Sequence, residues 1–199
     1  MIRALVVYCH PNPESFTAAV KTMTLRHLEH RGAETRLIDL YAIDFDPILT
    51  LESHAGYLDT NRNQAGIEAH VENLRWCNTL IFIYPTWWYG LPARLKGWLD
   101  RVLIPGVAFH MPGANARSIR PGLRNVKRLA VFTTCGASRL TTQLMGAPGK
   151  RTILRGIRAL CAIGVRTRFS ALYLMDSSTT VQRTRHLKRT ERKLAGLLA

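Results

Sequence analysis

Residues 4–8 read Ala-Leu-Val-Val-Tyr, and residues 79–84 read Thr-Leu-Ile-Phe-Ile-Tyr. Both runs are apolar without alternation, rich in β-branched side chains, and only as long as a strand. A strand that is apolar on both faces must be covered on both faces, which is the setting of a central strand in a parallel sheet. Residues 128–134 form a third such run, and weaker ones lie at 34–40 and 165–174. Helical signals fall between them. Ser15 suits an N-cap for a helix ending near Arg31, with Gly32 as its stop. Ile67, Val71 and Leu74 share a helical face within 67–76. Pro92, at a first-turn position, opens a helix to Leu103. Further helices are expected near 152–161 and from Ser178 onward, the last with Val181, Leu187, Leu194 and Leu197 inward.

Strands alternating with helices imply a parallel sheet with helices on both faces. Five strands of this kind predict an α/β, three-layer, flavodoxin-like sandwich of strand order 2-1-3-4-5, one domain over residues 1–199. Residues 41–66 and 105–125 lack periodicity and read as long loops, with 85–90 as a turn. Glycines 136, 146 and 149 mark a loop ahead of the helix near 152. In such sheets ligands bind beyond the carboxyl ends of the strands, near the switch point between the first and third.

Composition narrows the classes. The chain of 199 residues is 47% apolar and is long enough to bury a core without disulfides or structural metal. It has no apolar run of membrane-spanning length, and the run at 4–8 is too short for a signal-peptide core, so a cytoplasmic protein is expected. Cys9, Cys77, Cys135 and Cys161 are scattered among apolar segments, without metal-ligand spacing, and read as small buried hydrophobes. The net charge of +15 is lopsided: residues 1–116 carry 10 Lys and Arg against 11 acids, whereas residues 117–199 carry 18 against two. With no zinc-finger or RNP-type motif beside it, this basic half is expected to be a solvated face of a protein that binds anionic cofactors, not a nucleic-acid surface.

Three loops carry candidate chemistry. The first, residues 10–17, joins a buried strand to a helix N-terminus, where unpaired N–H groups and the helix dipole favour an anion. His10, Ser15 and Thr17 could add donors for a phosphate; equally, His10 and Ser15 could simply cap the helix. The loop has neither G-x-G-x-x-G nor a P-loop Lys. The second loop holds Pro85, Thr86, Trp87, Trp88, Tyr89, Gly90 and Pro92. Three adjacent aromatics either pack on the core or flank a flat ligand; in a turn they point in different directions, which favours the ligand. The third, Thr133, Thr134, Cys135 and Gly136, could present backbone N–H groups to a polar ring edge.

These segments resemble the NAD(P)H:quinone oxidoreductase family. The likeness rests on His10, Pro13, Ser15 and Phe16; on the run from Pro85 through Trp87, Trp88, Tyr89, Gly90, Pro92 and Leu95 to Val102; and on Thr133, Thr134 and Gly136. It implies a flavodoxin-like homodimer with FAD, or alternatively FMN, at the subunit interface, and NAD(P)H as electron donor. It implies that His10, Ser15, Phe16 and Thr17 hold the phosphate end. By the same pattern Pro85, Thr86, Trp87, Trp88 and Tyr89 line the flavin ring, Thr133, Thr134 and Gly136 meet its edge, and Trp88 and Tyr89 stack on a quinone or similar flat acceptor. Members of the DT-diaphorase type carry a Tyr and a His further on, thought to relay charge; at that spacing this chain has Thr141 and Ala147, and Cys135 replaces the first glycine of a Gly-Gly pair. No dedicated acid or base is therefore expected. Two other readings fit the likeness: a regulatory flavoprotein subunit of a potassium efflux system at the membrane surface, and a flavodoxin-type electron carrier.

Overall fold

The computed structural model describes residues 1–113 and 118–199. Strands β1 (Arg3–Tyr8), β2 (Glu34–Asp39), β3 (Thr79–Thr86), β6 (Arg128–Cys135) and β7 (Arg166–Leu172) form one sheet of order β2-β1-β3-β6-β7. Every pairing in it is parallel. This is the 2-1-3-4-5 arrangement expected, once a two-stranded ribbon, β4 (Phe109–His110) with β5 (Arg120–Pro121), is set aside. That ribbon lies inside the region expected to be loop, of which 114–117 fall outside the described residues.

Two apolar layers flank the sheet. On one face α1 (Phe16–His30) and α8 (Thr180–Leu198) pack on Ala4, Val6, Ile81, Ile83 and Phe132. On the other, α3 (Glu68–Trp76), α4 (Ala93–Val102) and residues 153–161 pack on Leu5, Val7, Phe82 and Val131, with Trp98 fully buried among them. The unbroken apolar runs are thus explained by burial on both sides. Ser15 caps α1 as expected, accepting from the Ala18 N–H, and Gly32 follows its end with φ +62°.

Several boundaries differ from the sequence reading, each for a local reason. Pro85 and Thr86 belong to β3 rather than to the turn. The last β1–β3 pair is Tyr8 with Ile83, and the Ile83 carbonyl accepts from Cys9. Alternation points Pro85 to that same side, where β1 has ended, so its missing N–H costs no ladder bond. Pro92 sits at the N-cap of α4, one position before the helix. The stretch after Gly136 holds α5 (Arg139–Leu144), capped by Ser138, and the next helix begins at Pro148, not near 152. That helix runs as α6 (Pro148–Arg151), a π-helical segment (Thr152–Ile157) and α7 (Arg158–Leu160). The C-terminal helix starts at Thr180 behind a capping box of Thr179 and Gln182. Leu194 and Leu197 are buried and Leu187 partly so, but Val181 is exposed, and the inward positions include His186, Thr190 and Leu198. All four cysteines are buried and free. Among the described residues no helix is long and apolar enough to cross a membrane.

The excursion at 41–66 contains α2 (Leu51–Ala55) and is held onto α4. Arg94 reaches the Leu40 carbonyl at 3.2 Å and Asp44 at 2.9 Å. Gly97 lies so close to Pro47 that a Cβ there would overlap the Pro47 backbone. Ala in place of a helical Gly is ordinarily worth about 1 kcal/mol of stability. Here the overlap should reverse the sign: Gly97→Ala is expected to cost about 1–3 kcal/mol, read as a lower urea midpoint at unchanged m-value. A raised midpoint would show that the excursion is not seated on α4.

Candidate cofactor site

The site follows from a stagger in the sheet. β1 pairs with β3 only as far as Tyr8 and Ile83, whereas β3 and β6 continue to Thr86 and Cys135. Beyond the end of β1 the chain turns into α1 on one face of the sheet, and beyond β3 it turns into α4 on the other. The crevice between them is a cavity of about 510 Å³, lined by His10, Pro85 to Tyr89, Thr134 to Ala137, Met175 and Asp176. This size suits a flat cofactor ring.

At the α1 side, His10 Nδ1 accepts the Asn12 N–H at 3.0 Å. Burial lowers the pKa of this imidazole, so the ring is neutral and its other nitrogen carries the proton, a donor available to a ligand. Ser15, Phe16 and Thr17 do not line the cavity with their side chains. Ser15 caps the helix, Phe16 packs 6.1 Å from His186, and the buried Thr17 hydroxyl pairs with Thr134 at 3.2 Å. What this loop offers an anion is backbone: the Phe16 and Thr17 N–H groups, in the first turn of α1, find no acceptor among the described residues. The Tyr8 hydroxyl is buried and lies outside the cavity lining.

The aromatic turn is formed by Trp87 to Gly90, closed by the Gly90 N–H to the Trp87 carbonyl at 2.9 Å. Trp88 and Tyr89 both have left-handed backbones, φ 49° and 60°. Such conformations cost non-glycine residues about 1–3 kcal/mol each. Trp88 is 95% exposed and Trp87 42%, so neither is a core residue. Across the cavity Thr133 bonds Thr86 at 2.9 Å and lies behind the wall, while Thr134 and Gly136 face it. The Gly136 and Ala137 N–H groups find no acceptor among the described residues. A Cβ on Gly136 would stand 2.7 Å from the Asp176 carboxylate.

The comparisons with known proteins agree with the fold. A profile of the family described as flavodoxin-like fold matches residues 2–194. Ribosyldihydronicotinamide dehydrogenase (quinone) of Rattus norvegicus is 31% identical over 157 residues, 71% of this chain and 67% of that protein. The chain belongs to the NAD(P)H:quinone oxidoreductase family. It is an oxidoreductase. Two solved structures share the fold: an NAD(P)H:quinone oxidoreductase from Methanothermobacter marburgensis, and an FMN-dependent NADH-azoreductase from Bacillus anthracis in complex with FMN. The first has a TM-score of 0.78 at 22% identity, covering 100% of this chain and 98% of that one. The second has a TM-score of 0.76 at 14% identity, covering 99% of both.

Within this oxidoreductase, Thr141 bonds Ser138 at 2.8 Å and Ala147 takes a left-handed backbone, so neither position places a Tyr- or His-like group in the cavity. Cys135 is buried against Thr142 and supports the wall. Burial pushes the Cys9 thiol up to about 12, which leaves it protonated and unreactive. Among the described residues no group of three or more His, Cys, Asp or Glu is placed to hold a metal. The sequence reading missed Ala137, Met175 and Asp176; the last two lie in a 3₁₀ turn (Met175–Ser177) that follows β7 and carries no motif.

Exposure settles what Trp88 contributes to folding. Trp88→Ala should leave the melting of the flavin-free protein within about 0.5 kcal/mol of wild type, whereas a core tryptophan would cost about 3–5 kcal/mol. Ligand binding raises apparent stability, so the comparison is made without flavin. A large drop would assign Trp88 to packing.

Proposed function

We propose that this oxidoreductase is a flavin-dependent NAD(P)H:quinone oxidoreductase that passes two electrons from a nicotinamide donor to quinones or similar flat electrophiles. The observation that carries the reading is Trp88: a large aromatic, 95% exposed, held in a left-handed backbone at the mouth of a cavity at the sheet's switch point. An exposed apolar ring in a costly conformation is what a stacking platform requires before its ligand arrives.

The residues present fit a flavin. The phosphate end would be held by the His10 N–H and the free Phe16 and Thr17 N–H groups. The ring would lie between Trp87, Trp88 and Tyr89 and the Gly136–Ala137 backbone, whose free N–H groups are donors for a polar ring edge. When bound, the flavin supplies the two-electron chemistry between donor and acceptor. The protein's own part is to orient both molecules over one platform and to offer donors where negative charge develops. FAD is the proposed cofactor, with FMN as the alternative. The fold shared with an azoreductase solved in complex with FMN supports a flavin cofactor. The exposed Trp87 and Trp88 also support a symmetric homodimer in which a second copy closes the open side of the cavity.

One platform for both molecules implies ping-pong kinetics. Initial rates with NADPH and a benzoquinone varied together should give parallel double-reciprocal lines, and light scattering of the flavin-loaded protein should give a dimer mass. Flavin-loaded protein that oxidises no nicotinamide donor in the presence of quinones would refute the reductase reading. A monomer with full activity would refute the dimer alone.

A further inference from the structure

The basic second half of the chain gathers its charges at one place. Arg139 on α5, Lys150 on α6, and Arg189 and Lys193 on α8 come from three separate helices. They meet at the open edge of the sheet around the end of β7. Lys193 donates to the Phe169 carbonyl at 2.6 Å, and the Lys150 ammonium lies 4.8 Å over the Phe169 ring. Arg139 and Arg189 both act on the Tyr173 hydroxyl. Burial lowers the Lys193 pKa, and the positive charges of Arg189, Arg139, Arg168 and Lys150 lower it further.

No described residue pairs with this group as an ion pair. Of the two acids in the second half, Glu191 faces His27 and Asp176 leans on Gly136. The charged ends of Arg139, Lys150 and Arg189 make no hydrogen bond to any described residue, though Lys193 and Arg168 do. Basic side chains commonly protect an edge strand from pairing, and that accounts for Arg168 and Lys193. It does not account for Arg139, Lys150 and Arg189, whose charged ends bond no described residue of the strand. Like charges gathered within a Debye length, about 10 Å at 0.1 M salt, repel one another until an anion joins them.

The position of the group says which anion. Lys150, Phe169 and Tyr173 line a narrow crevice whose other wall includes Thr86 and Tyr89. Thr86 and Tyr89 also line the main cavity. A molecule lying over the aromatic turn therefore has Lys150 and Tyr173 beside it, with the charges of Arg139 and Arg189 acting at Tyr173. We propose that Arg139, Lys150, Arg189 and Lys193 hold the phosphate groups of the dinucleotide donor, an inference that rests on the reductase reading above. The chain would then distinguish a phosphorylated dinucleotide from a bare dihydronicotinamide riboside through these side chains. Arg139, Lys150 and Arg189 are exposed, so replacing them should not disturb folding.

The test uses the flavin-loaded enzyme with NADPH, NADH and dihydronicotinamide riboside as donors. In the Arg139→Gln/Arg189→Gln variant, and separately in Lys150→Gln, the KM for NADPH should rise by about tenfold with kcat retained, as expected for lost hydrogen bonds between charged groups. The KM for the riboside should not change. A control, Arg31→Gln/Arg75→Gln, removes the same charge from the far ends of α1 and α3 and should leave all three donors as in wild type. A KM for NADPH that does not move, or one that moves in parallel with the riboside or with the control, overturns the proposal. Binding of adenosine 2′,5′-bisphosphate, followed by calorimetry, gives a second readout that needs no turnover. If no donor is oxidised at all, the reductase reading fails, and this binding still decides the site: weaker binding by the variants supports it, equal binding sinks it. Preference of the wild-type group for a single-stranded oligonucleotide over the bisphosphate would also count against it.

Discussion

The unequal length of β1 and β3 is the constraint on which the rest of the molecule depends. Because β1 ends against Ile83 while β3 and β6 run on together to Thr86 and Cys135, the sheet presents a shelf of extended backbone with nothing paired along one side. Right-handed crossovers then send the two following segments to opposite faces. The shelf, the α1 N-terminus and the aromatic turn are brought together by topology, without any direct bond between His10 and Trp87, whose rings stand 6.4 Å apart. A proline is tolerated in a central strand only because of this stagger.

The strain in the aromatic turn is held from behind. Gly149 packs on the Gly90 backbone closely enough that a Cβ would come within 3.1 Å, and its N–H reaches the Tyr89 carbonyl at 3.3 Å. The helix that carries Gly149 passes into a π-helical segment within one turn. Two left-handed residues are thus fixed by a neighbouring helix rather than by their own side chains, which leaves the side chains free for a ligand. The shape of the platform belongs to the fold; its aromatic surface belongs to the sequence.

Much of this was legible beforehand, and what was not has physical causes. The buried strands announced themselves because a parallel sheet covered on both faces demands continuous apolar runs, and Ser15 announced α1 because a capping hydroxyl is a local signal. Phe16 and Thr17 were assigned to the phosphate end by resemblance, and the structure gives that position to their backbone, since the side chains are needed elsewhere: Phe16 against His186, Thr17 against Thr134. Side-chain direction at a helix start depends on packing that no local pattern encodes. Asp176 was invisible for the same reason, because only the return of the chain after β7 brings it to Gly136. Ser138 is a local cap signal for α5, obscured in the sequence by the loop-like glycines at 136, 146 and 149. The convergence of Arg139, Lys150, Arg189 and Lys193 required three helices to be placed before a lopsided charge count became a location.

The central claim is that the shelf between His10, the aromatic turn and the Gly136 loop holds a flavin. Titration of the flavin-free protein into FAD, and separately into FMN, with flavin fluorescence as the signal, tests it most directly. The account predicts that at least one flavin is quenched to saturation at one per chain, and that Gly136→Val, which adds bulk on the ring-edge side of the cavity, abolishes the quenching while the protein still melts cooperatively. Fluorescence of both flavins unchanged by an excess of folded wild-type protein would contradict it.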